Sequence, residues 1–480
     1  MSKITKNYLY NLLYQVFVLF VPIITAPYLA RVLGPTSQGV ASYIISMANI
    51  LSTITLLGIY NYGNRQIAYE RDNRDKMSQT FWEIMSIRFL LAIIGSIIYF
   101  FMAIRLKEFS VYFFIYYLWM IAIYFDCTWV YVGVEDMKPA VIKNFITKLL
   151  TVLGIFILIK TSSDIYIYIL LLGSSALIAN MLAYTQLKIY INKPKLNVKN
   201  LSMHLKGSIK MFLPTVATLI YLQVDKVMIE FFTGQTNQVS FYDNAEKIVT
   251  IPLTFITVLS TVMMPRIANE FIKGNNEKVR GYIQKAGIIS LFLAFPMTFG
   301  VIAISTKFVP WYLGNEYIPV IWGIIIIAPI IIGNSMEGIS GRQYFIATNQ
   351  IPVLTKSYGI TAIINIIINI GLIPKYGFIG AAIATGISSY ICVLIQFYYL
   401  SKQISIKCFI LYGFKYLIYS ILMFIAIKII TYKMNSNFIT TIIQILIGGI
   451  VYFTIAYVTK DKIFKELLNK VLKYSNKIKL

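Results

Sequence analysis

Residues 242–264 read YDNAEKIVTIPLTFITVLSTVMM, a short charged stretch that runs directly into a long uncharged apolar one. About 20 apolar residues in a helix cross the hydrocarbon core of a bilayer. Blocks of this kind recur from end to end in a chain that is 58% hydrophobic and only 13% charged, whereas soluble proteins carry roughly a quarter charged residues. The sequence therefore predicts an all-α polytopic membrane protein.

The apolar blocks predict 14 transmembrane helices, and the first of them is expected to remain as a span rather than to be removed as a signal peptide. The predicted spans cover about 8–32, 39–62, 82–104, 110–132, 139–160, 165–188, 208–231, 239–264, 283–304, 317–337, 352–374, 378–400, 409–431 and 438–459.

The formal net charge of +24 is distributed unevenly between alternate loops. Basic residues concentrate in 65–76, 188–206, 266–285 and the tail 460–479, while the opposite loops hold only Arg105, Lys107, Lys160, Lys307, Lys375 and Lys433. Such asymmetry follows the positive-inside rule, which predicts cytoplasmic termini and short outward loops. The charge therefore indicates topology and attraction to an anionic lipid bilayer, not nucleic-acid binding.

Two short motifs repeat at the same offset of 200 residues. GPTSQ at 34–38 returns as GQTNQ at 234–238, and IAYE at 67–70 returns as IANE at 267–270. The offset contains an even number of predicted spans, which predicts two parallel repeats with a substrate path between them. The predicted organisation is a six-helix lobe at 1–190, a basic cytoplasmic linker at 191–207, a second six-helix lobe at 208–400, two additional helices at 401–459 and a basic tail at 460–480.

Several ionisable residues lie within or close to the apolar blocks, although a charge at the centre of a lipid-facing helix costs about 2.5–3.5 kcal/mol. The candidates for a substrate-binding cavity are Lys247, Lys148, Lys143, Arg88 and Arg31. The candidates for charge pairing or ion coupling are Asp243, Asp225, Lys226, Glu246 and Asp126. Two interpretations remain open for these residues, namely pairing within the protein and exposure to a hydrated cavity. Asp243 and Lys247 are four residues apart with the acid first, which favours a helical ion pair, and the default position of Arg31 is the outer interface.

Enzyme signatures are absent from the sequence. Three scattered cysteines predict neither a disulfide framework nor a zinc site, and the single histidine, His204, lies in a basic segment where a solvated side chain is expected. No GxxxxGK[ST] phosphate loop and no nucleophile–histidine constellation is present. The expectation is a transporter with no cofactor and no ATP hydrolysis.

Three stretches resemble a known family. PYLARVLGPTSQGVASYIIS at 27–46, the segment QVDKVMIEFFTGQTNQVSFYDNAEKI that begins at residue 223, and INIIINIGLIPKYGFIGAAIATGISSY at 364–390 are similar to helices of polysaccharide-repeat flippases. These proteins form part of the multidrug/oligosaccharidyl-lipid/polysaccharide exporter superfamily, and the resemblance covers about residues 8–400 in order.

The resemblance implies two six-helix lobes that enclose a central cavity, with two trailing helices. It implies a cargo of undecaprenyl-pyrophosphate-linked oligosaccharide, moved across a bacterial cytoplasmic membrane for capsule, exopolysaccharide or O-antigen assembly, with a polysaccharide polymerase and glycosyltransferases as further partners. It also implies alternating access driven by a coupling ion (Na⁺ or H⁺) or by the membrane potential, which supplies about 2.3 kcal/mol per charge per 100 mV.

The related peptidoglycan-precursor flippases carry a basic residue early in the eighth helix, and Lys247 occupies that position here. The resemblance therefore implies a contact between Lys247 and the pyrophosphate, with Asp243 positioning the lysine. Those relatives also place arginines in helices one and two, where this chain has Thr25 and Thr53. A peptidoglycan-precursor flippase and a multidrug exporter remain the alternatives within the superfamily, and a membrane polysaccharide polymerase is the alternative from another class.

Overall fold

The computed structural model describes the backbone of residues 3–193 and 196–469, and within these ranges the side chains of all residues except 3–16, 19, 140, 213–222 and 258–262. Every regular element in this part of the chain is a helix. The prediction of an all-α protein is therefore confirmed. The predicted tail 460–480 lies outside the described residues from position 470 onward.

The chain divides into two compact units, Met1–Ser240 and Phe241–Leu480. The first unit contains α1 (Lys3–Leu56), α2 (Ile59–Glu70), α3 (Arg74–Arg105), α4 (Ser110–Tyr124), α5 (Thr128–Gly133), α6 (Lys138–Leu158), α7 (Ile165–Gln186), α8 (Val198–Thr233) and the start of α9 (Thr236–Ile272). Within it α7 packs against both α4 and α6, and α8 packs against α1, α2 and α3.

The second unit contains the rest of α9, α10 (Asn276–Tyr312), α11 (Val320–Ile327), α12 (Ile330–Glu337), a π-helix (Gly338–Ile346), α13 (Ile351–Tyr376), α14 (Phe378–Ser401), α15 (Lys407–Ile430) and α16 (Phe438–Val458). The rings of Tyr416 and Tyr452 each lie 5.3 Å from that of Phe292, and the Tyr452 hydroxyl donates to the Phe292 carbonyl at 2.8 Å. This aromatic cluster joins α15 and α16 to α10, and all three rings are fully buried. The two additional helices are thus packed into the second unit.

Eleven helices in the described part of the chain are long and apolar enough to cross a membrane. The helix at 20–56 covers parts of two predicted spans, 8–32 and 39–62. α8 and α9 contain two more, whose side chains are described only in part. The protein is a multi-pass membrane protein. The number 14 and the predicted domain boundaries stay predictions, although α8 runs unbroken from Val198, so that the end of the predicted linker is helical.

The first glycine of each repeated motif breaks a helix. Gly34, with φ 71° and ψ 173°, divides α1 into segments 3–33 and 35–56, and Gly234, with φ 62°, ends α8. Residues with a side chain rarely adopt these positive φ values. The second motif is also followed by similar structure in both copies, because an asparagine directly precedes the next helix: Asn73 precedes α3 and Asn275 precedes α10. The repeat detected in the sequence is therefore also a repeat of local structure.

His204 is buried, so the expectation of a solvated side chain is wrong. Only 2% of the residue is exposed. Its Nε2 lies 2.8 Å from Glu83 Oε2, and its Nδ1 lies 2.9 Å from the Tyr62 hydroxyl. Glu83 also accepts hydrogen bonds from the Asn200 side chain at 3.0 Å and from the Asn197 amide at 3.2 Å. The physical reason is that the start of α8 packs on α2 and α3, where a buried carboxylate needs partners.

Candidate functional site

Lys247 and Asp243 form an ion pair on α9. Lys247 Nζ lies 2.5 Å from Asp243 Oδ2, and the side chain of Lys247 is 56% exposed whereas that of Asp243 is 5% exposed. On the same helix Tyr242 and Ala245 are buried, with the Tyr242 hydroxyl 2.8 Å from Thr385 Oγ1 on α14. This packing fixes α9 in the second unit and leaves the ammonium group accessible. An accessible ammonium group whose position is fixed by an ion pair can bind an anionic ligand.

Arg88 lies in the first unit, 2% exposed on α3. Its Nη2 donates to the Ile123 carbonyl and lies 3.8 Å from Asp126 Oδ2. The chain leaves helical geometry between α4 and α5, and Asp126 accepts hydrogen bonds there from the Thr128 amide at 2.9 Å and from the Thr128 hydroxyl at 2.5 Å. Ile123 lies at the end of α4, where a backbone carbonyl within the membrane needs hydrogen-bond donors. Arg88 is one such donor, and Asp126 lies close enough to balance its charge.

The two lysines of α6 have different surroundings. Lys143 is partly buried, and its Nζ contacts the carbonyl of Leu182 on α7. Lys148 is also partly buried, but the described residues provide it with neither a hydrogen bond nor an ion pair. A cation at membrane depth without a protein partner needs water or an anion. Lys148 is thus the candidate in the first unit with the most evident capacity for a ligand.

The remaining four predicted residues are spread over both units. Asp225 and Lys226 are buried on α8, with exposures of 1% and 8%. Arg31 is exposed on α1, and Glu246 is partly buried on α9. Each of the four makes further polar or electrostatic interactions. The predicted roles of all ten residues in binding or coupling stay predictions.

A polar cluster in the second unit was missed from the sequence. The tenth span was predicted to end at residue 337, but the chain continues as the π-helix to Ile346. Glu337 therefore lies inside a membrane-length helix, where it meets Tyr358 of α13. The signal available in the sequence was the set of apolar residues that continues beyond Glu337 in GISGRQYFI, although Ser340, Arg342 and Gln343 interrupt it.

Metal binding through acidic, histidine or cysteine side chains finds no support in the described part of the chain, where no group of three or more such residues could hold an ion. The candidate residues comprise cations, some of them paired with carboxylates. Cationic side chains are of the type that contacts anionic ligands.

A protein-family profile described as "Polysaccharide biosynthesis protein" matches residues 4–271. The chain is 27% identical over 267 residues to the probable low-salt glycan biosynthesis flippase Agl15 of Haloferax volcanii. The match spans 55% of this chain and 55% of that relative, so the chain covers about half of its length. It is 22% identical over 388 residues to the putative O-antigen transporter of Escherichia coli K12, with 79% of this chain and 92% of that protein covered.

Two solved structures have the same fold. The lipid II flippase MurJ in an inward closed conformation superposes with a TM-score of 0.74 at 20% identity, covering 97% of this chain and 99% of that one. An inward-facing multidrug resistance transporter of the MATE family and MOP superfamily has a TM-score of 0.62 at 12% identity, with coverages of 81% and 94%. At these identities the likeness concerns the fold. Since the family profile matches more than half of the chain, the chain belongs to the polysaccharide biosynthesis protein family, as its resemblance to polysaccharide-repeat flippases predicted.

Proposed function

We propose that this protein is a transporter, not an enzyme, and that it flips a lipid-linked oligosaccharide across a membrane for polysaccharide assembly. The family match supports this function, and so do the names of two relatives, a glycan biosynthesis flippase and an O-antigen transporter. The match to the second relative extends over 92% of that protein, so that the similarity is not confined to one segment.

The observation that carries the proposal at the site is the Lys247–Asp243 pair. A flippase cargo of this class has a polar pyrophosphate head that loses hydration when it enters the protein. An ammonium group that is 56% exposed can contact the phosphate oxygens, while Asp243, only 5% exposed, holds the lysine in place when the cargo is absent. Charge-assisted hydrogen bonds of this kind are roughly twice as strong as neutral ones.

The proposal includes the surroundings of the protein. The cargo is an undecaprenyl-pyrophosphate-linked oligosaccharide, and the location is a bacterial cytoplasmic membrane with both termini in the cytoplasm. Transport is powered by a coupling ion or by the membrane potential. Glycosyltransferases build the cargo before transport, and a polysaccharide polymerase consumes the transported cargo. The excess of basic residues in alternate loops supports the orientation.

Reconstitution tests the function directly. Full-length protein is placed in liposomes that contain a fluorescent undecaprenyl-pyrophosphate oligosaccharide, and a membrane-impermeant quencher reports the fraction of cargo in the outer leaflet. We expect the protein to make the inner-leaflet cargo accessible, and we expect no such effect on a fluorescent phospholipid. Equal movement of both lipids, or movement of neither, would contradict the proposal.

A further inference from the structure

The π-helix of the second unit creates a polar cluster within a membrane-length helix. Glu337 precedes it directly, and Ser340 and Gly341 lie in its first turn. π-Helical turns are rare and occur frequently at functional sites. A Cβ atom on Gly341 would lie 2.6 Å from Glu337 Oε1 and 3.3 Å from Gln396 Oε1. Because position 341 is a glycine, the space between the carboxyl group of Glu337 and the amide of Gln396 stays open, so that the two groups can approach each other.

The hydrogen-bond partners of this cluster are neutral. The Tyr358 hydroxyl donates to Glu337 Oε1. Ser340 Oγ donates to Gln396 Oε1 at 2.6 Å, and Gln396 Nε2 donates to Ser357 Oγ at 3.2 Å. Ser340, Ser357 and Gln396 are fully buried. The amide and hydroxyl groups are therefore largely occupied with one another and form a closed network beside the carboxyl group.

No cation is paired with Glu337 among the described residues. The titratable groups that act on it are Tyr358 from α13 and Arg342 from the π-helix, and Cys392 of α14 is close enough to be affected by its charge. Arg342 is exposed. Of the described side chains of α10, which also packs against the π-helix, Arg280 acts on Tyr344 of the π-helix, and none acts on Glu337. A carboxylate at membrane depth without a paired cation is costly. A bound proton removes that cost.

We propose that Glu337 is a proton-binding site and that its protonation couples to the transport cycle. The carboxylate takes one proton from water to form a single O–H bond, and it returns that proton to water when the cycle releases it. Glu337 and Tyr358 are both partly buried as residues. The coupling role rests on the proposed transport function, whereas proton binding itself does not need the cargo.

A proton fits this site better than a metal ion does. A hard cation such as Na⁺ needs several free oxygen ligands, as Ca²⁺ and Mg²⁺ do. Here one oxygen of Glu337 accepts from Tyr358, and the carbonyl oxygen of Gln396 accepts from Ser340. These two acceptor oxygens are therefore already engaged with donors, which makes them poor ligands for a metal ion.

Infrared difference spectroscopy on the purified full-length protein in lipid nanodiscs tests proton binding without cargo. We expect a protonated-carboxyl band that disappears as the pH is raised, because the carboxyl group then loses its proton. Glu337→Gln should abolish this band, and the matched control Glu316→Gln, at an exposed carboxyl group, should retain it. A band that persists in Glu337→Gln, or that is absent from the wild type at every pH, would overturn the proton site.

Tyr358→Phe separates a titrating role from a structural one. The Tyr358 hydroxyl donates a hydrogen bond to the Glu337 carboxylate, and such a bond changes the balance between the ionised and the protonated form. Its removal should shift the midpoint of the band, while Glu316→Gln keeps the wild-type midpoint and both variants remain folded. An unchanged midpoint in Tyr358→Phe would contradict the geometry on which the proposal rests.

Liposomes with an imposed pH gradient test the coupling. We expect the gradient to accelerate cargo movement by wild type and Glu316→Gln, and we expect Glu337→Gln to lose at least about tenfold of that acceleration, equivalent to about 1.4 kcal/mol. Equal acceleration of Glu337→Gln, or dependence on Na⁺ instead of pH, would overturn the coupling. A titrating band in a protein that moves no cargo would preserve the proton site and refute the proposed function.

Discussion

Thr236 Oγ1 donates a hydrogen bond to the main-chain carbonyl of Thr36 at 3.2 Å, and these two threonines occupy equivalent positions in the two copies of the repeat, 200 residues apart. The two repeated motifs therefore contact each other within the first unit. Ser240 Oγ adds a second link, 3.4 Å from Gln38 Oε1. The contact is close because Gly39 has no side chain, and a Cβ atom there would lie 1.7 Å from the Thr236 carbonyl oxygen.

Gly39→Ala should therefore destabilise the protein. The added methyl group overlaps a main-chain atom that has no rotamer to change, and overpacking of this kind costs typically about 1–3 kcal/mol. Thermal unfolding of the purified protein, followed by size-exclusion chromatography, measures the loss. The matched control is Gly371→Ala on α13, where nothing lies within 4 Å and where alanine should stabilise the helix by about 0.5–1 kcal/mol. Equal unfolding temperatures for the two variants would contradict the close contact.

Lys247→Ala should reduce polysaccharide export while the protein remains in the membrane. A hydrogen bond to a charged group contributes about 1.5–3 kcal/mol, so a loss of roughly tenfold to a hundredfold is expected. Surface polymer and membrane-bound protein are measured in the same cells. The matched control is Lys278→Ala, because Lys278 is also exposed, at 64%, and also pairs with a carboxylate, Glu270, at 3.7 Å. Normal export by Lys247→Ala would remove Lys247 from the site.

Lys148→Met should weaken export without lowering the unfolding temperature. Methionine retains most of the aliphatic stem and removes the charge, for which the described residues provide no partner. Among the described residues the variant loses no hydrogen bond or ion pair, so the expected change is in contacts with water or with an anionic ligand. Lys143→Met is the comparison, because the Lys143 ammonium contacts the Leu182 carbonyl and its loss should affect folding. Unchanged export by Lys148→Met would assign Lys148 a structural role.

The helices and the repeat could be predicted because both depend on local sequence. Apolar length fixes where a helix must cross lipid, and the glycines at 34 and 234 recur with their neighbours. The ion pair of Asp243 with Lys247 follows in the same way from their spacing on one helix.

The partners of the other charged residues could not be predicted, because they come from distant parts of the chain. Arg88 meets Asp126 and His204 meets Glu83 only after α3 has packed against its neighbours. Glu337 could not be placed from the sequence because a π-helix extends the tenth span past its predicted end. Local sequence patterns do not distinguish a π-helix from an α-helix.

Glu83→Ala should be among the most destabilising single substitutions in the first unit. It leaves the buried His204 and the partly buried Asn200 amide without their acceptor, and breaking one side of a buried pair costs about 3–5 kcal/mol. The unfolding temperature and the amount of protein in the membrane measure this loss. Glu135→Ala is the control, since Glu135 pairs with Arg71 at 2.6 Å with 60% of its side chain exposed, where about 0–1 kcal/mol is expected. A small effect for both variants would refute a stabilising role for the buried cluster.

Cysteines placed at Asp72 and at Lys199 should have the same accessibility, from the cytoplasm only. The segments that carry them pack together, because Arg74 donates to the carbonyls of Lys188 at 3.0 Å and Tyr190 at 3.2 Å. In intact cells of a Cys408→Ser background, a membrane-impermeant maleimide should label neither position until the membrane is opened. Lys433→Cys, in a loop predicted to face outward, should be labelled at once. Outward labelling of both would reverse the topology inferred from the basic loops, and labelling of only one from outside would contradict the packing of the two segments.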